Sequence, residues 1–202
     1  MFPDRAALTT IEIVEAFSDA VAELLATLDR VDAWDDHGLG EWTVRELAAH
    51  TIRAMTTIEL YLIAEPLVDA DIVDATGYFR AALAAPNVHA GVAERGRENA
   101  RTLTDPAAIG RSAAERVVPL VAQVDPQRLI ETIVGRVPFR EYLAGRVVEL
   151  TIHTTDIQAA SGQPITVPET SARVAWAVLA PLAEPAHLLR AITGRDALNV
   201  LG

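Results

Sequence analysis

The sequence contains no cysteine. This absence excludes disulfide bonds, thiolate metal sites and a cysteine nucleophile together, because each of them requires a sulfhydryl side chain. Any thiol chemistry at this protein therefore needs a thiol that is carried by another molecule.

Basic residues are scarce compared with acidic ones. The chain has 17 Lys and Arg against 28 Asp and Glu, which gives a formal net charge of −11. An acidic surface repels nucleic acid and anionic membranes unless a basic patch is segregated, and the sequence shows no such patch. We therefore expect neither a nucleic acid nor a membrane as a partner.

Long hydrophobic runs are also missing. The longest uncharged apolar stretch, 174–183, is too short to cross a bilayer and contains Pro181. The opening residues MFPDR lack the basic-then-apolar pattern of a secretory signal. With 202 residues, half of them apolar, we expect a soluble cytoplasmic protein with one full hydrophobic core.

Capping signals and apolar spacing predict the first two helices. Thr9 and Glu12 form a capping box ahead of an apolar stripe at helical spacing, which predicts a helix over about 10–29. A second box begins at Thr43 and opens a helix that is predicted to end at Glu65, just before a proline.

The remaining patterns complete an all-α prediction. They indicate, in chain order, a short helix at 76–85, a break at 86–87, a helix at 92–103, a helix from Pro106 to about 123, an extended connection at 128–134, a long helix from Pro138 to Ser161-Gly162, an extended segment at 163–168 and a last helix to about Ile192. No series of strands alternates with these helices, so a parallel sheet is not expected. The predicted architecture is a helical bundle whose core can hold a metal between facing helices.

Three side chains on two of these helices form a candidate metal site. His50 shares the apolar face of the second helix. Glu149 and His153 are four residues apart on the long helix, so that their side chains lie one above the other on one face. Two imidazoles and one carboxylate are a ligand set of open, catalytic zinc centres. The pattern therefore predicts one divalent ion, with zinc as the first choice.

Simpler explanations exist for each of these residues. His50 alone is typical of a satisfied core histidine, and Glu149 has Arg146 one turn earlier as a salt-bridge partner. His153 and Glu149 are also at the spacing of an ordinary helical ion pair. Asp156 either orients His153 or is solvated. A di-iron site is disfavoured because those bundles need Glu-x-x-His on two helices.

Two segments resemble a known family. The segments LGEWTVRELAAH (39–50) and RVVELTIHTTD (146–156) resemble the N-terminal metal-binding domain of mycothiol-dependent maleylpyruvate isomerases, which belong to the DinB-like superfamily of four-helix bundles. The similarity covers about residues 9–162. It implies a DinB-like four-helix bundle with additional short helices over 1–162, and a C-terminal extension with one helix, 163–202, packed on the same domain.

The resemblance also implies a ligand set and cofactors. The ligands carry over to His50, Glu149 and His153, the ion is a divalent metal, usually zinc, and a low-molecular-weight thiol, mycothiol, is the expected cofactor. The isomerase itself has a further C-terminal α/β domain, for which the residues after Gly162 are too few. We therefore expect the metal site but not the isomerisation of maleylpyruvate.

Three classes of function follow from such a site. The first is a thiol-dependent S-transferase or isomerase that acts on a small electrophile, with Arg146 orienting a carboxylate of the substrate or of the thiol. The second is a hydrolase that uses metal-bound water and needs a general base, for which Asp156 is the one obvious residue. The third is a non-catalytic metal- or ligand-binding regulator. A homodimer remains open as the assembly.

Overall fold

The structure, a computed structural model, describes residues 8–63, 69–85 and 103–197, together with residues 98, 100 and 101. Within these residues the chain is mostly helical, which confirms the all-α prediction. The strands of this part of the chain form one two-stranded antiparallel hairpin. The elements are α1 (Thr10–Leu28), α2 (Val44–Leu62), α3 (Ala75–Ala84), α4 (Pro106–Val121), β1 (Leu129–Thr132), β2 (Gly135–Pro138), α5 (Phe139–Ala160), α6 (Glu169–Leu179), a 3-10 turn (Ala180–Leu182) and α7 (Pro185–Ile192).

Both predicted capping boxes are present. The Thr9 hydroxyl accepts the Glu12 N–H at 3.2 Å, while the Glu12 carboxylate accepts the Thr9 N–H at 2.7 Å. Thr43 and Glu46 repeat this exchange at the start of α2, with distances of 3.2 and 2.8 Å. These reciprocal bonds satisfy N–H groups that a helix start otherwise leaves without partners, so the starts of α1 and α2 are confirmed.

Four helices form the bundle. Helix α5 packs against α1 and α2, and α4 closes the circle by packing against both α2 and α1. The core between them is apolar and includes the fully buried side chains Phe17, Leu24, Leu47, Met55, Leu143 and Leu150. This is the DinB-like four-helix arrangement that the sequence predicted. It places α2 directly beside α5, the two helices that carry the predicted ligands.

A hairpin anchors the segment that leads into α3. The predicted extended connection is strand β1, which pairs with β2 in antiparallel register. The Asp71 carboxylate accepts the Arg136 N–H at 2.9 Å and both guanidinium bonds at 2.8 Å. Gly135, with φ +126°, allows this contact, because a Cβ there would lie 3.1 Å from the Asp71 Cβ.

The chain after α5 lies on the outside of the bundle. Helix α6 packs against α1 and α5 and buries Val174 and Val178. The extended segment before it is held by the buried Gln158, whose side-chain amide accepts the Thr166 N–H at 2.9 Å and donates to Thr27 at 3.0 Å. No residue of α7 is buried.

Helix α3 is joined to this C-terminal segment by two hydrogen bonds. The Thr76 hydroxyl donates to the Val178 carbonyl at 2.9 Å, and Arg80 Nη2 donates to the Pro181 carbonyl at 2.7 Å. Because α3 also packs against α5, it is held between the bundle and the C-terminal segment.

Two predicted helix ends are wrong. Helix α2 ends at Leu62 rather than Glu65. In a continuing helix the Leu62 carbonyl would accept the N–H of residue 66, which a proline lacks. This carbonyl accepts Arg128 Nη2 at 3.0 Å instead. The single last helix to Ile192 is divided into α6, the 3-10 turn and α7, because prolines interrupt the backbone hydrogen bonding.

The C-terminal extension therefore contains two helices instead of one, and its assignment to the same domain as the bundle stays a prediction. The helix predicted at 92–103 falls largely outside the described residues. None of the helices in the described part of the chain is long and apolar enough to cross a membrane.

Candidate metal centre

The three predicted ligands come together between α2 and α5. Glu149 Oε2 lies 3.4 Å from His50 Nε2 and 3.4 Å from His153 Nε2. One ligand atom from each of the three residues lies within 4.8 Å of the others. The two imidazole rings meet edge to face, with centroids 4.8 Å apart and planes at 80°. Residues that are distant in the sequence thus point to one place in the bundle.

These atoms suit a small divalent ion. Zinc with nitrogen and oxygen ligands has bonds of about 2.0–2.2 Å in tetrahedral geometry, which separates neighbouring ligand atoms by about 3.4 Å. The distances from Glu149 Oε2 to His50 Nε2 and to His153 Nε2 both have this length. The side chains of His50, Glu149 and His153 keep 17, 21 and 18 % of their surface exposed, so solvent reaches all three of them.

Neighbouring side chains hold the imidazoles in place. Asp156 Oδ2 lies 3.0 Å from His153 Nδ1, so the carboxylate fixes the ring with its Nε2 toward Glu149. The sequence left this bond open, and the structure forms it. Just before α2, the buried Trp42 ring packs against His50, with ring centroids 5.0 Å apart.

The electrostatics give each residue a different state. Burial lowers the pKa of His50, which leaves this imidazole neutral. Burial alone would raise the pKa of Glu149, but hydrogen bonds from His153 and His50 and the charge of Arg146 hold it well below its usual range. Burial likewise opposes charge on His153, yet Asp156 and Glu149 raise its pKa to about 9. A metal ion would therefore replace one proton at this centre.

Comparison with known families agrees with the resemblance seen in the sequence. The family model described as mycothiol maleylpyruvate isomerase N-terminal domain matches residues 14–158. The chain belongs to this family. The matched range contains all three predicted ligands and almost all of the four bundle helices. No curated protein and no solved structure matches the chain.

In this family member, Arg146 does not serve as the salt-bridge partner of Glu149. It lies on α5 one turn before Glu149, but its ion pair with that carboxylate is not formed. Its guanidinium instead lies over two aromatic rings, with the Cζ atom 4.6 Å from the Tyr142 centroid and 5.6 Å from that of Tyr78. The simple alternative that the sequence left open for Glu149 is therefore not the observed one.

The two tyrosines beside Arg146 were not predicted as site residues. Tyr142 precedes Arg146 by four residues, and this helical spacing is a signal that could have pointed to it. Tyr78 lies on α3, far away in the sequence, and only the packing of α3 against α5 brings it to Arg146.

Proposed function

We propose that this protein is a metal-dependent enzyme that joins a low-molecular-weight thiol, with mycothiol as the first choice, to a small electrophile. The observation that carries the proposal is the convergence of His50, Glu149 and His153 at an open place between two bundle helices. Nitrogen and carboxylate donors at these distances favour zinc. Membership of the mycothiol maleylpyruvate isomerase family supports a thiol as the second component.

The residues of the chain suit thiol chemistry. A divalent ion held by this ligand set would stabilise the thiolate form of an added thiol at neutral pH. A divalent ion bound by two neutral imidazoles and one carboxylate would carry a net charge of +1 together with its ligands. A single thiolate would neutralise this charge. Asp156 keeps the His153 ring in its ligating orientation. The sulfur comes from outside, since the chain has no cysteine.

Two outcomes are open to such a thiolate. Attack on a saturated carbon would form a carbon–sulfur bond as the bond from that carbon to its leaving group breaks, which gives S-transfer. Addition to a conjugated double bond, followed by rotation and loss of the same thiol, gives cis–trans isomerisation. Both use the same nucleophile, and the substrate decides between them.

A hydrolase is less well supported by the geometry. Hydrolysis requires a general base that can accept a proton from water. Asp156 was the residue that the sequence offered for this role, and its Oδ2 is engaged with His153 Nδ1 at 3.0 Å. The carboxylate that orients a ligand in this way is poorly suited to act as the base.

The proposal is tested by measuring thiol consumption with a reactive electrophile such as iodoacetamide. Zinc-loaded and metal-free protein are compared in the presence of mycothiol, glutathione, bacillithiol or no thiol. We expect acceleration only when both metal and thiol are present, with mycothiol the most effective. Metal-dependent cleavage of an ester without thiol would instead identify a hydrolase. Stoichiometric metal with no turnover would identify a regulator.

A further inference from the structure

Arg146 is a buried cation without an acidic partner. The residue is only 9 % exposed, its Nε has no hydrogen-bond acceptor, and no carboxylate of the described residues forms an ion pair with it. Other arginines of the described chain do pair with acids: Arg116 with Glu59, Arg136 with Asp71 and Arg140 with Glu141. A buried charge is strongly penalised unless it is paired, so a missing partner calls for an explanation.

Two aromatic rings lie against this cation, and a third ring packs on one of them. We call Tyr61, Tyr78 and Tyr142 the tyrosine box. Tyr142 meets Tyr61 at a centroid distance of 5.5 Å and Tyr78 at 6.0 Å, both nearly edge to face. The Tyr142 hydroxyl donates to the Thr57 hydroxyl at 2.8 Å, which fixes this ring in place. The guanidinium thus lies against the rings of Tyr142 and Tyr78, while Tyr61 supports Tyr142 from the side.

The tyrosine box compensates only part of the cost of burying Arg146. Ring faces attract a guanidinium, but they do not replace the acceptors that its five N–H donors need. Burial disfavours the charged form, yet Tyr142, Tyr78 and Glu149 outweigh this effect and raise the pKa of Arg146. The side chain therefore stays charged and lacks an acceptor at Nε. A planar guanidinium in this state matches a carboxylate, which accepts two parallel hydrogen bonds.

The position of Arg146 links it to the metal centre. Residues three apart on a helix are neighbours on its surface, so Arg146 and Glu149 lie within about one turn, or about 5 Å, of each other along α5. One small molecule could therefore reach both places, with only a few covalent bonds between its group at Arg146 and its group at the metal centre.

We propose that Arg146 and the tyrosine box bind a carboxylate of the small molecule that reacts at the metal centre. The protein would then select carboxylate-bearing ligands whose reacting atom lies a few bonds from the acid. That a carboxylate binds at Arg146 follows from the surroundings of Arg146 itself. That the bound molecule reacts at the metal centre rests on the proposed function. The carboxylate belongs either to the electrophile or to the thiol, and the two sources are separable by experiment.

The first experiment measures binding without metal. Benzoate and its neutral isostere benzamide are titrated into metal-free protein by calorimetry, for the wild type, Arg146→Met, Arg146→Lys and the control Arg173→Met. Arg173 is half-exposed and pairs with Glu12 on the protein surface. We expect benzoate to bind the wild type and the control about tenfold to a hundredfold more tightly than benzamide, and Arg146→Met to lose this preference.

We call Arg146 with the tyrosine box the anion site. Equal binding of benzoate and benzamide to the wild type would by itself overturn the proposal of this site, whatever the variants show. Retention of the preference in Arg146→Met would also overturn it. Arg146→Lys keeps the charge but loses the planar fork, so we expect an intermediate preference. Near-ultraviolet circular dichroism and zinc content verify that each variant keeps its fold.

The second experiment identifies the source of the carboxylate. Zinc-loaded protein is given 2-mercaptoethanol with iodoacetate or iodoacetamide, and separately iodoacetamide with mercaptoacetate or mercaptoacetamide. In every case a carbon–sulfur bond forms as the carbon–iodine bond breaks and iodide leaves. Rates are divided by those without protein. Preference for iodoacetate assigns the carboxylate to the electrophile, and preference for mercaptoacetate assigns it to the thiol.

The two proposals fail in different ways. Metal- and thiol-dependent turnover with no preference in either pair would show that Arg146 does not bind a carboxylate of the reacting molecules, and it would leave the proposed function in place. Benzoate binding that depends on Arg146, together with no thiol turnover on any electrophile, would overturn the proposed function and leave the anion site in place.

Discussion

Among single residues, Glu149 is the one that connects the other two candidate ligands to each other. Its Oε2 lies 3.4 Å from the Nε2 atoms of both His50 and His153. In the free protein this oxygen faces one neutral imidazole and one protonated imidazole. A metal ion would use the same three atoms, so the ligands are arranged before the ion arrives and little reorganisation opposes binding.

Replacing His153 with alanine should abolish metal retention. Only His50 and Glu149 would remain, and two ligands on facing helices do not hold an open zinc centre. The helical circular dichroism should stay largely intact, because alanine is a good helix former. Metal analysis after dialysis is the measurement. His187→Ala, at an exposed position of α7, is the matched control and should keep about one ion per chain.

Replacing Asp156 with asparagine should weaken zinc binding about 10–100-fold. The amide retains the shape of the side chain, but it loses the charge that orients His153 and increases its basicity. Competition with a chromophoric chelator measures the affinity, with the exposed Asp32→Asn as control. An unchanged affinity in Asp156→Asn would show that His153 is oriented by other contacts.

Metal binding at neutral pH should release about one proton, because His153 is protonated in the metal-free protein and a ligating imidazole is not. The charged groups that act on it are Asp156 and Glu149, while His50 is already neutral. Affinity should rise about tenfold per pH unit up to about pH 9. Calorimetry in buffers of different ionisation enthalpy measures the proton, and zero release would contradict the assignment.

The raised pKa of His153 should also make the metal-free protein less stable at high pH. The folded pKa of His153 is raised from 6.5 to about 9. Its contribution to the free energy of unfolding is therefore complete below about pH 6.5 and is lost as the pH rises through about 9. Urea unfolding of metal-free protein at pH 6 and pH 9.5 should show a decrease that is absent in His153→Ala.

At the scale of helices and strands, the starts could be predicted and some ends could not. A capping box acts within four residues, so Thr9 and Thr43 carry the information locally. At the end of α2 the proline at 66 has no N–H for the Leu62 carbonyl, and the donor that replaces it, Arg128, comes from a different part of the chain. The interruption at Pro181 follows from proline chemistry, and the single predicted helix gave this residue too little weight.

The candidate site divides in the same way. His50 could be found from an apolar helix face, and Glu149 with His153 from a spacing of four. Their mutual distances depend on the packing of α2 against α5, which the sequence implies only through the family resemblance. The contact of Tyr78 with Arg146 has no sequence signal, because it arises from the placement of α3.

Removing the cap of α2 should affect both stability and metal binding. Thr43→Ala should lower the free energy of unfolding by about 1 kcal/mol, because it leaves N–H groups at the helix start without an acceptor. Thr9→Ala removes the equivalent cap of α1 and should cost a similar amount. Since α2 carries His50, we expect weaker zinc binding only in Thr43→Ala. Equal zinc affinity of the two variants would contradict a role of this cap in positioning the ligand.

At the scale of the whole molecule, the two parts of the C-terminal segment should differ in importance. Helix α6 buries Val174 and Val178 against the bundle, and each buried valine side chain contributes about 1.5–3 kcal/mol. Helix α7 buries nothing. A chain of residues 1–183 should therefore unfold in urea almost like the full chain, whereas residues 1–162 should lose cooperative unfolding.

This pair of truncations also tests the domain prediction. Loss of cooperativity in 1–162 would place the bundle and α6 in one folding unit. Equal stability of 1–162 and the full chain would instead show that the bundle is a domain without the C-terminal segment.

The attachment of α3 to the C-terminal segment has a consequence for how such proteins diversify. Thr76 and Arg80 fix α3 to carbonyls of residues 178 and 181, and α3 carries Tyr78. The three candidate metal ligands, in contrast, belong to α2 and α5 alone. Sequence changes near residues 178–181 would therefore move Tyr78 and, with it, the proposed preference for carboxylates. The three candidate metal ligands would stay as they are, so related proteins could differ in substrate while keeping one metal centre.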